Sequence, residues 1–427
     1  MNALLAIAAW LLFLPCALRA ENWPAWRGAT GQGISNERRL PTRWNATNGI
    51  CWRAALPDKG NSTPIVWGDR VFLTQAVAAE DRRSVMCFHR ADGRLLWQSA
   101  VKFQENEPTH STNPQNSSSP VTDGERVVAW FGSAGVYCYN LAGGLLWHRD
   151  LGKQRHIWGW GSSPVIHGDL VLLNFGPGER QFLVALNKKT GEVVWRANEP
   201  GGHSGEKHDG EDKASWIGSW STPLIVRVED KDQAILSLPN RVAAFDPATG
   251  KEIWTCGGLN ELAYASPLHA EGVVVAMGGY NGKSVAVRVG GRGDVTSTLR
   301  LWQHPRTKQR IGSGVIYEDH IYIVDDPGIA ECVELKTGKV VWEERLPGKA
   351  KTAVNWSSAM LAVGNVYVIT QGGDTLVFKA SPKYELVSVN SLGETSNSSL
   401  APSGGQIFIR THEALWCVGE CRPETPR

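Results

Sequence analysis

The stretch AFDPATGKEIW, residues 244–254, reads as a strand, a tight turn and a second strand ending on an indole, and related hairpins recur at 87–97, 138–147, 185–195 and 332–342. A second element, a pair of small polar residues before Pro, recurs as NSTP from Asn61, SSSP from Ser117, GSSP from Gly161, WSTP from Trp220 and YASP from Tyr264. Weaker copies, GSG from Gly312, WSSA from Trp356 and NSSL from Asn397, bring the units to eight. A repeat at this spacing constrains the fold more than any other feature, because one such unit cannot bury its own faces and must stack on its neighbours. The unit SSPVIHGDLVLLNFGPGERQFLVALNKKTGEVVW holds four short strands parted by turns at 167–169, 176–180 and 188–191. Four antiparallel strands repeated eight times predict an all-β chain, an eight-bladed β-propeller. The turn chemistry agrees: Pro247 supplies φ near −65° and Gly250 supplies positive φ.

The ends of the chain predict how the ring closes. The eighth unit stops after EALWCVGE with three strands, while GICWRAALP from Gly49 matches EVVWRANEP from Glu192 without a hairpin strand before it. The N-terminal strand is therefore expected to complete the last blade and remove the open edges. The composition fits many short strands, with 46 Gly, 19 Trp and only 4 Met. The first 20 residues hold an apolar run from Ala3 to Leu14 and a small-residue site at Ala20, which reads as a secretory signal peptide. Pro15 before Cys16 argues against a lipoprotein. The expected division is signal peptide 1–20, N-terminal extension 21–48, a single propeller 49–420 and a tail 421–427, in a periplasmic or secreted monomer with no span in the mature chain. With 44 Lys plus Arg against 42 Asp plus Glu, nucleic acid is not an expected partner.

The Ala-x-Asp-x-x-Thr-Gly-x-x-x-Trp pattern and the paired Ser before Pro resemble the pyrroloquinoline-quinone-like β-propeller repeat family, over the stretch from Cys51 to Cys417. In particular the chain is similar to the small exported propellers of that family, which include a scaffold lipoprotein of the outer-membrane barrel-assembly machinery. The resemblance implies that Trp52, Trp97, Trp147, Trp195, Trp254, Trp302 and Trp342 dock between blades; blade seven departs, with Leu386 or Val387 near that place. For the quinone-dependent dehydrogenases of the family it implies adjacent cysteines, a calcium held by acidic and amide side chains, and an Asp base. This chain has no Cys-Cys pair and no Cys-x-x-Cys-His motif. No cofactor is therefore expected, and no residue is assigned a catalytic role; pyrroloquinoline quinone with calcium enters only under the alternative of a quinoprotein dehydrogenase.

Binding residues are sought where connections lengthen. Trp97 to Pro120 is 23 residues and Trp195 to Pro223 is 28, against 12 to 17 for most equivalent links, so the insertions 98–119 and 196–222 both lead into an innermost strand. Those links open on one face, around the channel, where Trp160, Trp220, Tyr264, Arg310, Trp356 and Asn397 directly precede inner strands. Such an aromatic, Arg-bearing funnel suits an unidentified protein partner or small ligand; the plainer alternative is that the rings fill the mouth and pack on each other. His203, Glu206, His208, Asp209, Glu211 and Asp212 in HSGEKHDGEDKA have metal-ligating chemistry but sit among Gly and Lys, so a solvated loop is expected and no metal site is assigned. Glu105 and His110 are read as surface residues rather than an acid and base.

Seven cysteines follow Cys16. Cys87, Cys138, Cys332 and Cys417 share the hairpin position held elsewhere by Ala185 and Ala244, which favours a small core role. In the closing blade, Cys417 and Cys51 correspond to the facing pair Ala185 and Val194, so Cys51 and Cys417 are a candidate disulfide, two packed thiols being the alternative. Cys256 and Cys421 have no assignment, and Cys421 competes for Cys417.

Overall fold

The computed structural model describes residues 21–105, 107–200, 217–348 and 354–421; the leader at 1–20 and the His203 to Asp212 cluster lie outside them. Eight antiparallel sheets follow one another along the chain and form blades 1 to 8: residues 65–102, 121–149, 165–199, 224–257, 268–308, 315–345, 360–391, and 401–419 joined by Ile50–Ala55. The last blade has the N-terminal strand at its outer edge, paired antiparallel with Ala414–Gly419. Inner strands read as continuous apolar runs because both faces are covered by neighbouring blades: Leu170–Phe175 is buried almost throughout, whereas the outermost strand of that blade, Val193–Glu199, alternates between exposed and half-buried.

One hydrogen-bond belt explains the paired small residues. In each unit the backbone N–H of the Ser or Thr just before the Pro position donates to the hydroxyl of the equivalent residue in the next blade: Thr63 to Ser119, Ser119 to Ser163, Ser163 to Thr222, Thr222 to Ser266, Ser266 to Ser313, Ser313 to Ser358, Ser358 to Ser399, and Ser399 back to Thr63, at 2.8–3.1 Å. All eight side chains are buried. A hydroxyl is needed because each N–H faces the next blade rather than a ladder partner, and an orphaned buried N–H costs about 1–3 kcal/mol. The Pro that usually follows has no N–H to satisfy at the start of the inner strand.

The indoles make a second set of seams. Trp52, Trp97, Trp147, Trp195, Trp302 and Trp342 donate Nε1–H to a carbonyl in the outer turn of the next blade, Arg90, Leu141, Lys188, Pro247, Leu335 and Ser381 respectively, at 2.8–3.0 Å. Five of those turns place a positive-φ Gly under the ring: a Cβ on Gly93, Gly143, Gly191, Gly250 or Gly338 would lie 2.3–2.7 Å from an indole atom. Trp254 differs. Its indole donates to Gln233 within its own blade, because the corresponding turn of blade 5 is a longer loop that adds Gly293–Asp294 in parallel to residues 254–255. Blade 7 needs no indole: its neighbour's outer strands belong to opposite ends of the chain, so no turn exists there to receive one. Trp44, on the way into the first strand, fills that seam instead, with its backbone N–H on Asn390 Oδ1 and its ring buried in the core shared by blades 7, 8 and 1.

In all eight blades a β-bulge precedes the seam position, so that two residues of the outermost strand oppose one on its partner. This corrects the register read from sequence. Ala185 pairs with Trp195, not Val194, and Cys417 pairs with Trp52, Cys51 being the extra residue of the bulge.

Candidate functional site

The inner strands line a channel whose two ends are closed differently. At one end the extension crosses the ring. Trp23 pairs its backbone with Val66 in blade 1, and the Pro24 carbonyl accepts from Thr122 N–H in blade 2. Ala25 packs against the core shared by blades 2 and 3, and Gly31 lies near Leu224 in blade 4. Gln32 Oε1 accepts from His269 N–H in blade 5, Ile34 bridges Leu361 in blade 7, and the Glu37 carboxylate accepts from Gly404 and Gly405 N–H in blade 8. Blade 6 receives the Arg27 guanidinium, only 2% exposed, which donates to the Ser313 and Gly314 carbonyls and to that of Gln32 in its own segment. Arg27 thus reaches the belt from below. Burial without a carboxylate partner pulls its pKa down to about 9.

At the other end, the mouth, the first insertion forms a lid. Its anchor is Glu107, whose carboxylate accepts from Arg83 at 2.5 Å and from the backbone N–H and hydroxyl of Ser133. Both charges are buried: burial pushes Glu107 up and Arg83 down, and their mutual attraction opposes each shift. From this anchor the lid reaches blade 3 through Asn113, whose amide donates to the Trp158 and Trp160 carbonyls. The Thr112 carbonyl accepts from Asn61 at 2.8 Å and from Asn397 at 3.2 Å, tying the lid to blades 1 and 8. Between lid and blade 1 a cavity of about 200 Å³ is lined by Asp58, Lys59, Ala76, Thr109, His110 and Gln115, among others.

The six mouth residues picked from sequence divide into two groups. Trp160, Trp220 and Arg310 are buried. Trp160 lies 6.1 Å from the Trp130 ring with the Arg83 guanidinium over it. Trp220 stands edge-on between His156 and Tyr264 and donates to the Gly159 carbonyl. Arg310 is paired with Glu331 at 3.1 Å. Tyr264, Trp356 and Asn397 are half-buried; Asn397 holds the lid, and Trp356 Nε1–H donates to Asp326, whose other oxygen accepts from Gln309. Burial raises the Asp326 pKa, the Trp356 hydrogen bond opposing it, and raises that of Tyr264. Among the described residues the lid covers the side of blades 8, 1, 2 and 3 and leaves the side of Tyr264, Tyr280, Asp326 and Trp356 open; Tyr280 is 52% exposed. Glu105 and His110 do not come together as a pair: Glu105 bridges Lys153, and the His110 ring lies tilted against Trp158 with centroids 4.4 Å apart. Arg27, Arg83 and Glu107 were not singled out by sequence; the only sign of the lid was the length of its connection.

The sequence from residue 34 to 420 matches, in two segments, 34–178 and 179–420, a family model described as outer membrane protein assembly factor BamB. The chain belongs to this family. No curated protein sequence matches it. Among solved structures it is similar to BamB from Moraxella catarrhalis, at 12% identity and a TM-score of 0.60, over 87% of this chain and 98% of that one. It is also similar to the quinohemoprotein alcohol dehydrogenase from Comamonas testosteroni, at 13% identity and a TM-score of 0.68, over 95% of this chain and 82% of that one. The computationally designed Ika8 protein matches at 12% identity and a TM-score of 0.54, over 91% of this chain and 99% of that one. At such identities the likeness is one of fold, and a fold shared by an assembly factor, a dehydrogenase and a designed protein does not select an activity.

The residues of this BamB-family chain can be set against the quinone and calcium that the sequence resemblance implies for the family's dehydrogenases. Among the described residues no three His, Cys, Asp or Glu side chains are grouped to hold a metal ion. Of the buried guanidiniums, Arg83 and Arg310 are ion-paired, whereas Arg410 is hydrogen-bonded to the Thr74 carbonyl and to Gln75 Oε1. No helix of the described residues is long and apolar enough to cross a membrane.

Proposed function

We propose that the protein is an exported, non-catalytic propeller, a scaffold of the cell envelope that receives a protein partner on the open side of its channel mouth. The observation that carries this reading is the lid. Its hydrogen bonds to blades 1, 3 and 8 and its buried Glu107 anchor occupy the space and the charges that a catalytic funnel would turn toward substrate. Among the described residues, what the lid leaves uncovered is an aromatic rim, the exposed Tyr280 and the half-buried Tyr264 and Trp356, with Asp326 between Trp356 and Gln309. Large rings with a polar edge suit a protein interface, where they bring contact area at low entropic cost. Export is supported by the apolar N-terminal run and small-residue site of the first 20 residues.

Titration of the purified protein with pyrroloquinoline quinone and calcium, followed by tryptophan fluorescence and dye-linked alcohol oxidation, separates this reading from a dehydrogenase. No saturable quenching and no alcohol-dependent dye reduction are expected. Stoichiometric quenching with alcohol turnover would assign the protein to the quinone enzymes instead.

A further inference from the structure

The ring is closed by backbone pairing between two strands from opposite ends of the chain, Ile50–Ala55 and Ala414–Gly419. Three cysteines gather at this seam. The bulge sets both Cys51 and Trp52 opposite Cys417, the Cys51 thiol donates to the Gly419 carbonyl at 3.6 Å, two residues before Cys421, and the thiols of Cys417 and Cys421 act on it as neighbours. Gln406 Nε2 donates to Cys51 Sγ at 3.7 Å, and the Cys421 thiol donates to the Ile50 carbonyl at 3.6 Å. All three are free thiols, with Cys417 buried, Cys51 half-buried and Cys421 exposed. The internal repeat makes the placement specific: in the other seven blades the extra residue of the bulge is Leu, Val or Ile. A thiol replaces the aliphatic side chain only in the blade where the two chain ends meet.

We propose that Cys51 is a thiol–disulfide exchange site, which accepts a low-molecular-weight disulfide and resolves it onto Cys421 to close a covalent latch across the seam. In the first step the Cys51 thiolate attacks one sulfur of the external disulfide; that S–S bond breaks, one thiolate leaves and takes up a proton, and a mixed disulfide remains on Cys51. The Cys421 thiolate then attacks the Cys51 sulfur, forming Cys51–Cys421 and releasing the second external thiol. Two protein thiols are oxidised, one external disulfide is reduced to two thiols, and a dithiol reverses the sequence. Hydrogen bonds from Cys417, Cys421 and Gln406 to the Cys51 sulfur bring its pKa down to about 6 against the opposing effect of burial, so it is the attacking thiolate near neutrality. The Cys421 thiol is held up at about 11, chiefly through its hydrogen bond to Cys51, a constraint that ends once Cys51 carries the mixed disulfide. Cys417 is fully covered, and burial raises its pKa well above the ordinary thiol range although the Arg90 charge opposes it; it has neither the access nor the ionisation to resolve.

The test uses the full chain, incubated with oxidised glutathione or with dithiothreitol, quenched by alkylation and mapped by peptide mass spectrometry, with the melting temperature measured on both samples. The expected product is a Cys51–Cys421 disulfide, reversed by dithiothreitol, with a Tm raised by about 5 °C because the crosslink closes almost the whole chain into a loop. Cys421→Ser is expected to stop at a glutathione adduct on Cys51, and Cys51→Ser to remove both the disulfide and the Tm shift. A Cys51–Cys417 disulfide in the wild type, an intramolecular disulfide surviving in Cys421→Ser, or a Cys51 thiol unchanged by excess oxidised glutathione would overturn the proposal.

Discussion

The two ends of the channel are both covered by chain, but by different chemistry. The extension at 21–37 is tied to blades by backbone pairing at Trp23 and Ile34 and by a guanidinium only 2% exposed. The lid hangs from one buried ion pair, the Arg83–Glu107 bridge, and one backbone hydrogen bond, Ser62 N–H to the Asn116 carbonyl, and otherwise holds on through side chains, the amides of Asn61, Asn113 and Asn397 and the Lys59 ammonium on the Ser111 carbonyl. Removing a backbone pairing or a buried charge disturbs groups that have no access to water, whereas a rim amide is half-exposed and its lost bond is partly replaced by solvent. The contrast teaches where change is cheap: the plugged end completes the fold, whereas beyond its Glu107 and Asn116 attachments the lid gives up only rim bonds that water can replace.

Substitutions can break or sharpen this contrast. Arg27→Ala orphans several buried carbonyls and is expected to lower unfolding stability by about 4 kcal/mol, read by denaturant titration at neutral pH. Glu107→Ala, which strands the Arg83 charge, is expected to cost about 3 kcal/mol and to make residues 103–117 the first site of proteolysis. Ser163→Ala, which takes the acceptor from the Ser119 N–H, is expected to cost about 2 kcal/mol. Asn113→Ala should cost less than about 1 kcal/mol while increasing amide exchange in the lid and not in residues 23–35. If Arg27→Ala proves no more costly than Asn113→Ala, the two ends are alike and the contrast fails.

The architecture was legible because it is written eight times over. The turn residues, the indoles and the Ser or Thr before Pro each recur, and the unmatched strand at GICWRAALP showed how the ring closes. What did not recur was harder to read. Arg27, Gln32, Ile34 and Glu37 each meet a different blade, so residues 21–37 carry no periodicity that would mark them as a plug. The bulge before each indole is a backbone event with no residue signature of its own, and one extra residue moved Cys51 and Val194 out of the register read from the hairpin loop. The mouth was found through the lengths of its connections, but connection length does not tell which residues are buried: Trp160, Trp220 and Arg310 lie inside while Tyr264 and Trp356 reach the surface. Glu107 looked like one more acid in a polar loop, and only the fold sets it against Arg83.

Partner binding at the open side of the mouth is tested most directly by site-specific photocrosslinking in the host, with a benzophenone amino acid at Tyr280 and, as the control, at Leu145 on the exposed outer edge of blade 2. The account predicts one discrete protein adduct from position 280, lost when Tyr264→Ala and Trp356→Ala are combined in a chain that keeps its melting temperature, and none from position 145. The same adduct from position 145, or an adduct from 280 that persists without the two rings, would contradict it.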